Sequence, residues 1–158
     1  MIEGCCAMYI GQTGESQIEF VIEGYQHAEA TNNYFEANWL MVALSVVTPE
    51  VQWQAKAPVI LSNELDCFID WLQALSGNLA PNRYFDFEEP SLYVCVTERT
   101  SHTITLEFHL HLDFRCPDED KQETRVAVTV SFAELDSWVR QLKIYADRYP
   151  VRYVFNVL

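Results

Sequence analysis

Residues 103–114 read Thr-Ile-Thr-Leu-Glu-Phe-His-Leu-His-Leu-Asp-Phe, an unbroken alternation of apolar and polar side chains. A strand repeats every two residues, so Ile104, Leu106, Phe108, Leu110, Leu112 and Phe114 share one face. Thr103, Thr105, Glu107, His109, His111 and Asp113 share the other. One dry face and one wet face describe an antiparallel strand laid on a core. Downstream, Cys116–Gln122 is a polar turn carrying Pro117-Asp118-Glu119-Asp120, and Val126, Val128, Val130 and Phe132 mark the return strand of a hairpin. Ser131-Phe132-Ala133-Glu134 fits a capping box, in which Ser and Glu satisfy each other's backbone donors at a helix start. The helix stripe is Leu135, Trp138, Val139, Leu142 and Tyr145 or Ala146, and Pro150 stops it. Val151–Leu158 reads as a last short strand.

Upstream of the quoted stretch, Leu92–Glu98 is a strand and Asn78–Pro90 a loop broken by Pro81 and Pro90. Leu65, Phe68, Ile69, Leu72 and Leu75 have helical spacing, with Ser62 or Asn63 as cap and Gly77 as stop. Val51, Trp53, Ala55 and Ala57 alternate with Gln52, Gln54 and Lys56, and Pro49 sits in the preceding hairpin turn. Trp39–Val47 is apolar at nearly every position and reads as a central strand buried on both sides. In Ser16–Gly24, Ile18, Phe20 and Ile22 share a face. Glu64-Leu65-Asp66 and Glu134-Leu135-Asp136 open the two helices 70 residues apart. A duplicated strand–strand–helix unit and two independent amphipathic helices both produce that pattern. The predicted fold is α+β: a mainly antiparallel sheet or sandwich of about seven to nine strands with two amphipathic helices, in a single domain over 1–158.

The formal charge is −13, and the first 55 residues hold seven Glu with no Asp, Lys or Arg. Such a surface repels nucleic acid and anionic lipid, which need bases to displace counterions. It attracts a basic partner and speeds its arrival, although acidity also serves plain solubility. The first residues lack the positive and apolar regions of a signal peptide, and no apolar run is long enough to span a bilayer. The five cysteines, with Cys5 and Cys6 adjacent and no C-x-x-C, match neither a disulfide framework nor a zinc motif. A reducing cytoplasm is the expected setting.

His109 and His111 point the same way from one strand, with Glu107 and Asp113 beside them, as paired metal ligands would. A solvated face alternates in the same way, and sequence spacing fixes no third ligand. The expectation is no cofactor, no metal and no further donor converging on this pair. No G-x-S-x-G elbow or phosphate-cradling glycine loop occurs. Asp118-Glu119-Asp120 lacks the spacing and glycine of a calcium loop. No catalytic residue is therefore assigned. Trp39, Trp53, Trp71 and Trp138 lie on apolar faces and are expected in the core. Tyr25, Tyr34 and Phe35 stand in or beside the polar loop His27–Asn33, with Glu23, Glu29 and Glu36 around them and Glu19 on the adjoining strand. Aromatics ringed by acids suit an interface with a basic protein; the same aromatics would equally tie the loop to the core.

Gly24-Tyr25-Gln26, Tyr34-Phe35-Glu36-Ala37-Asn38-Trp39-Leu40, Trp53, Ser62-Asn63-Glu64-Leu65 with Trp71-Leu72, and Glu89-Pro90-Ser91-Leu92 follow one another in an order that resembles the WapI-like immunity proteins. The likeness runs from about Gly24 to Pro150, and Ala-Asn-Trp-Leu is its most specific segment. It implies a bacterial, cytoplasmic, non-enzymatic antitoxin that binds a cognate toxin domain encoded beside it and blocks it. It brings no catalytic or binding residues. The predicted partner is a basic toxin protein, with no nucleic acid or membrane, and homo-oligomerisation is left open. The alternative from the residues is a small-ligand or metal-binding β module using His109, His111 and Glu107.

Overall fold

The computed structural model describes residues 8–10, 16–29, 32–77, 81–118 and 120–153. Cys5, Cys6, Glu119 and most of the expected strand Val151–Leu158 lie outside them, and residues 151–153 are not in a strand. Two four-stranded antiparallel sheets form. The first runs β1 (Met8–Ile10), β2 (Gln17–Tyr25), β3 (Trp39–Val47) and β4 (Gln52–Leu61), with the short helix α1 (Tyr34–Asn38) between β2 and β3. The second runs β5 (Tyr84–Asp86), β6 (Leu92–Arg99), β7 (Thr103–His111) and β8 (Glu123–Ser131). Neighbours in sequence are neighbours in each sheet, and each meander ends directly in a helix: α2 (Ser62–Ser76) after the first, α3 (Phe132–Arg148) after the second. The helices start 70 residues apart, and each half is a four-stranded meander followed by a long helix, with α1 inserted only in the first. The chain is thus α+β and mostly antiparallel.

The alternating faces explain the packing. Ile18, Phe20 and Ile22, Leu40, Val42, Leu44 and Val46, Ile104, Leu106, Phe108 and Leu110, and Val126, Val128 and Val130 all enter one contiguous core. Phe20 of the first sheet meets Phe108 of the second with ring centroids 5.9 Å apart. Both helix stripes are buried as their periodicity requires, and Ser131 caps α3 by accepting from the Glu134 amide at 3.1 Å.

Each helix reaches across to the other half. Phe68 of α2 packs on Phe85 of β5 and on Phe87 just after it, at 5.2 and 5.3 Å, and the Trp71 indole donates to the Asn82 carbonyl. Leu142 and Tyr145 of α3 line a gap with Phe20 and Ile22 of β2. This exchange ties the halves together through side chains rather than sheet hydrogen bonds. The gap is apolar and measures about 10 Å³, too small for a ligand.

Several expectations change. The α2 cap is Leu61, not Ser62 or Asn63; Glu64 reaches back to accept from the Leu61 amide at 3.0 Å and also takes the Glu88 amide at 2.6 Å. Burial raises the Glu64 pKa, and those two backbone donors oppose the rise. β3 is buried on one side only: Trp39, Met41, Ala43 and Ser45 face outward, partly exposed. Trp39 therefore leaves the expected core, whereas Trp53, Trp71 and Trp138 enter it. The alternation of 103–114 stops at His111. Leu112 takes φ of +50°, a left-handed conformation unusual for a non-glycine residue, and is exposed, while a 3-10 turn (Leu112–Phe114) buries Phe114. The Trp53 indole donates to the Phe114 carbonyl at 3.1 Å and joins this turn to the first sheet. The expected loop Asn78–Pro90 contains β5, and the helix α1 follows the loop His27–Asn33.

Candidate functional site

The loop between β2 and β3 is built around Asn38. Its side-chain amide donates to the Tyr34 carbonyl at 2.8 Å and to the Arg152 carbonyl at 2.9 Å, and its oxygen accepts from the Arg152 amide at 2.8 Å. Ser62 donates to the Asn38 backbone carbonyl. Asn38 is completely buried, so all of this polar chemistry is satisfied internally. The Arg152 guanidinium then spans the loop. It donates to the carbonyls of Ala37, His27 and Ala28, at 2.7, 2.9 and 3.2 Å, and lies 3.7 Å from the Tyr25 ring centroid. Gly24, at φ of +148°, a conformation side chains resist, sits at the β-bulge that shifts the β2–β3 register before pairing resumes at Gly24–Met41 and Tyr25–Leu40. Beyond it Tyr25 stacks edge-on against Tyr149 and donates to the Pro150 carbonyl. Burial raises the Tyr25 pKa, with Arg152 pulling it down.

This clamp sorts the residues expected at an interface. Tyr34 and Phe35 stand out from α1, 38% and 49% exposed, in a T-shaped pair at 6.0 Å. Asn33 caps α1 by accepting from the Phe35 and Glu36 amides, and the Tyr34 hydroxyl donates to Asn63. Glu29 and Glu36 are exposed on the same loop and helix. Tyr25 is spent on the clamp and half-buried, so it is not a free anchor. Glu19 and Glu23 lie on β2, outside the core face; Glu23 forms an ion pair with Lys56 of β4, the first base in the sequence. Sequence reading missed Asn38 and Arg152 because the contacts that give them a role span more than 110 positions.

A second polar cluster occupies the outer face of the second sheet. Strand register puts Tyr93 opposite His109 and His109 opposite Arg125, and Cys95 opposite Glu107. The His109 Nε2 lies 2.8 Å from Glu107 and 3.4 Å from the Cys95 sulfur, and its Nδ1 contacts Glu123. Arg125 donates to Glu123 at 2.9 Å, and the Tyr93 ring packs edge-on to the imidazole at 4.7 Å. Desolvation raises the Glu123 carboxyl, but hydrogen bonds from Arg125 and His109 outweigh it and the pKa is lowered. Burial, then the Glu107 charge, raises the Cys95 thiol. Cys95 and Glu107 come into reach of His109 alone, so among the described residues the donors gather at one histidine and not at the His109–His111 pair. The donors arrive from cross-strand register, which spacing along one strand does not reveal. His111 is not among them: it lines an open cleft of about 520 Å³ with Leu112, Asp113, Arg115 and Gln122. That cleft is open to solvent and lined chiefly by polar and charged side chains, unlike the enclosed pockets that hold small ligands.

The model of the immunity protein WapI-like family matches residues 8–150. The chain belongs to the WapI-like immunity protein family. No curated protein matches it. The WapI-like span takes in both sheets and all three helices, and with them Asn38, the exposed aromatic pair and the His109 cluster. Arg152, which holds the loop, lies two residues past its end. No helix among the described residues of this WapI-like chain is long and apolar enough to cross a membrane.

Proposed function

We propose that this chain is a non-enzymatic, cytoplasmic antitoxin that binds a basic cognate toxin domain and neutralises it by covering a surface the toxin needs. Family membership supports the class of activity. The observation that carries the choice of surface is the Tyr34–Phe35 pair, exposed yet held on a helix turn that Asn38 and Arg152 fix in place. Rigid aromatics bury area at low entropic cost and make good anchors. Glu29 and Glu36 beside them, with Glu19 and Glu23 on β2, supply the negative field that guides a basic domain in. A non-catalytic reading fits the chemistry too. The thiol beside His109 has its pKa raised, the reverse of what a nucleophilic cysteine needs.

Protection in cells tests this reading. Bacteria expressing the toxin domain encoded beside this chain should survive when the chain is co-expressed. Tyr34→Ala combined with Phe35→Ala should weaken binding by about 30-fold or more and abolish protection at low expression, with the protein still folded. Full protection by a folded double variant would move the interface elsewhere.

A further inference from the structure

We propose that Cys95, Glu107 and His109 form a zinc-binding site on the outer face of the second sheet. One atom from each, the Cys95 sulfur, a Glu107 oxygen and a His109 nitrogen, lies within 4.8 Å of the other two. These are the donor types zinc takes: thiolate, carboxylate and neutral imidazole. Zinc bonds of about 2.0–2.3 Å in a tetrahedron place ligand atoms roughly 3.4–3.6 Å apart. The sulfur-to-Nε2 separation of 3.4 Å already fits. Glu107, at 2.8 Å from Nε2, has to retreat by about 0.6 Å, a small change for a partly exposed side chain.

The surroundings complete the argument. Metal-bound histidines almost always donate their other ring N–H to a carboxylate, a backbone carbonyl or water, which fixes the tautomer and turns the free lone pair toward the metal. Here Nδ1 meets Glu123, and Arg125 holds Glu123 in turn. With Nδ1–H donating to Glu123, Nε2 faces Glu107 and Cys95, and either a proton on Nε2 or a metal ion in its place satisfies that convergence. Tyr93 packs edge-on against the ring and limits its rotation. The donors come from adjacent strands, so a bound ion would crosslink β6 and β7. As zinc binds, the Cys95 thiol passes its proton to the buffer and the sulfur bonds as thiolate. The site does not depend on the toxin reading.

Cobalt, which reports a thiolate ligand by a charge-transfer absorption, is the probe. The full chain carrying Cys5→Ser, Cys6→Ser and Cys67→Ser leaves Cys95 and the fully buried Cys116 as its thiols. Stoichiometric cobalt should give the thiolate band, and stoichiometric zinc should erase it. Adding Cys95→Ser should remove the band. Glu123→Gln should weaken binding about 10- to 100-fold by freeing the imidazole. Glu107→Gln, at a partly exposed position that tolerates the change, should also weaken it, with circular dichroism unaltered. No band in the folded parent, or a band that survives Cys95→Ser, overturns the proposal.

Discussion

Trp138→Ala is expected to destabilise the protein by about 3–5 kcal/mol, the range for emptying a buried tryptophan site. Trp138 is 4% exposed and lies on the α3 stripe with Leu135, Val139 and Leu142. The loss would combine unburied surface with a cavity that neighbours close only in part. α3 also carries much of the contact between the halves. It packs against α2, and beyond it Tyr149 meets Tyr25 of β2. A void at Trp138 therefore loosens the exchange that joins one meander to the other. Urea unfolding should show a lower midpoint at unchanged slope, and the melting temperature should fall by roughly 6–20 °C for a chain of this size. Ile144→Ala, on the same helix but 52% exposed, should stay within about 0.5 kcal/mol of wild type. Equal effects at the two positions would mean that α3 does not present the face described.

Asn38→Ala should cost about 2–4 kcal/mol, although it removes few atoms. Three hydrogen bonds disappear, and the Arg152 amide and carbonyl lose their partners. The larger share of such a loss is the desolvation of groups left unpaired. Asn38→Asp should not rescue it. The carboxylate keeps the acceptor for the Arg152 amide but confronts two carbonyls that need donors. Arg152→Ala should destabilise through the same clamp, so the double variant should be less than additive by roughly 0.5–3 kcal/mol. Limited proteolysis is the second readout: cleavage around residues 150–153 should quicken in either single variant. Additive losses would show that Asn38 and Arg152 act separately.

What the sequence disclosed divides along a physical line. Strand faces and helix stripes were legible because their periods are local: the alternation from Thr103 to His111, the Ser131 half of the expected capping box and the stripe from Leu135 all form. β5 was missed because three residues display no period, and Leu112 was misplaced because a single left-handed residue breaks an alternation that continues on paper. Trp39–Val47 looked buried on both sides because small and apolar residues also sit comfortably on a partly exposed face. Around the β2–β3 loop, the acidic residues and the exposed Tyr34–Phe35 pair stand close together in the sequence itself. Tyr25 could not be told from them, because Arg152 and Pro150 withdraw it from far along the chain. The His109 cluster likewise depends on the β6–β7 and β7–β8 registers, which no spacing within β7 encodes.

The most direct test of the proposed antitoxin role is the binding kinetics between this chain and any toxin domain found encoded beside it, measured at two salt concentrations. A one-to-one complex should form, and its association should slow as salt rises. Glu19→Gln, Glu29→Gln and Glu36→Gln together should slow association at low salt and flatten that dependence, while dissociation changes little. Tyr34→Ala and Phe35→Ala should speed dissociation instead. Absence of a complex, or association indifferent to salt and to these carboxylates, would contradict it.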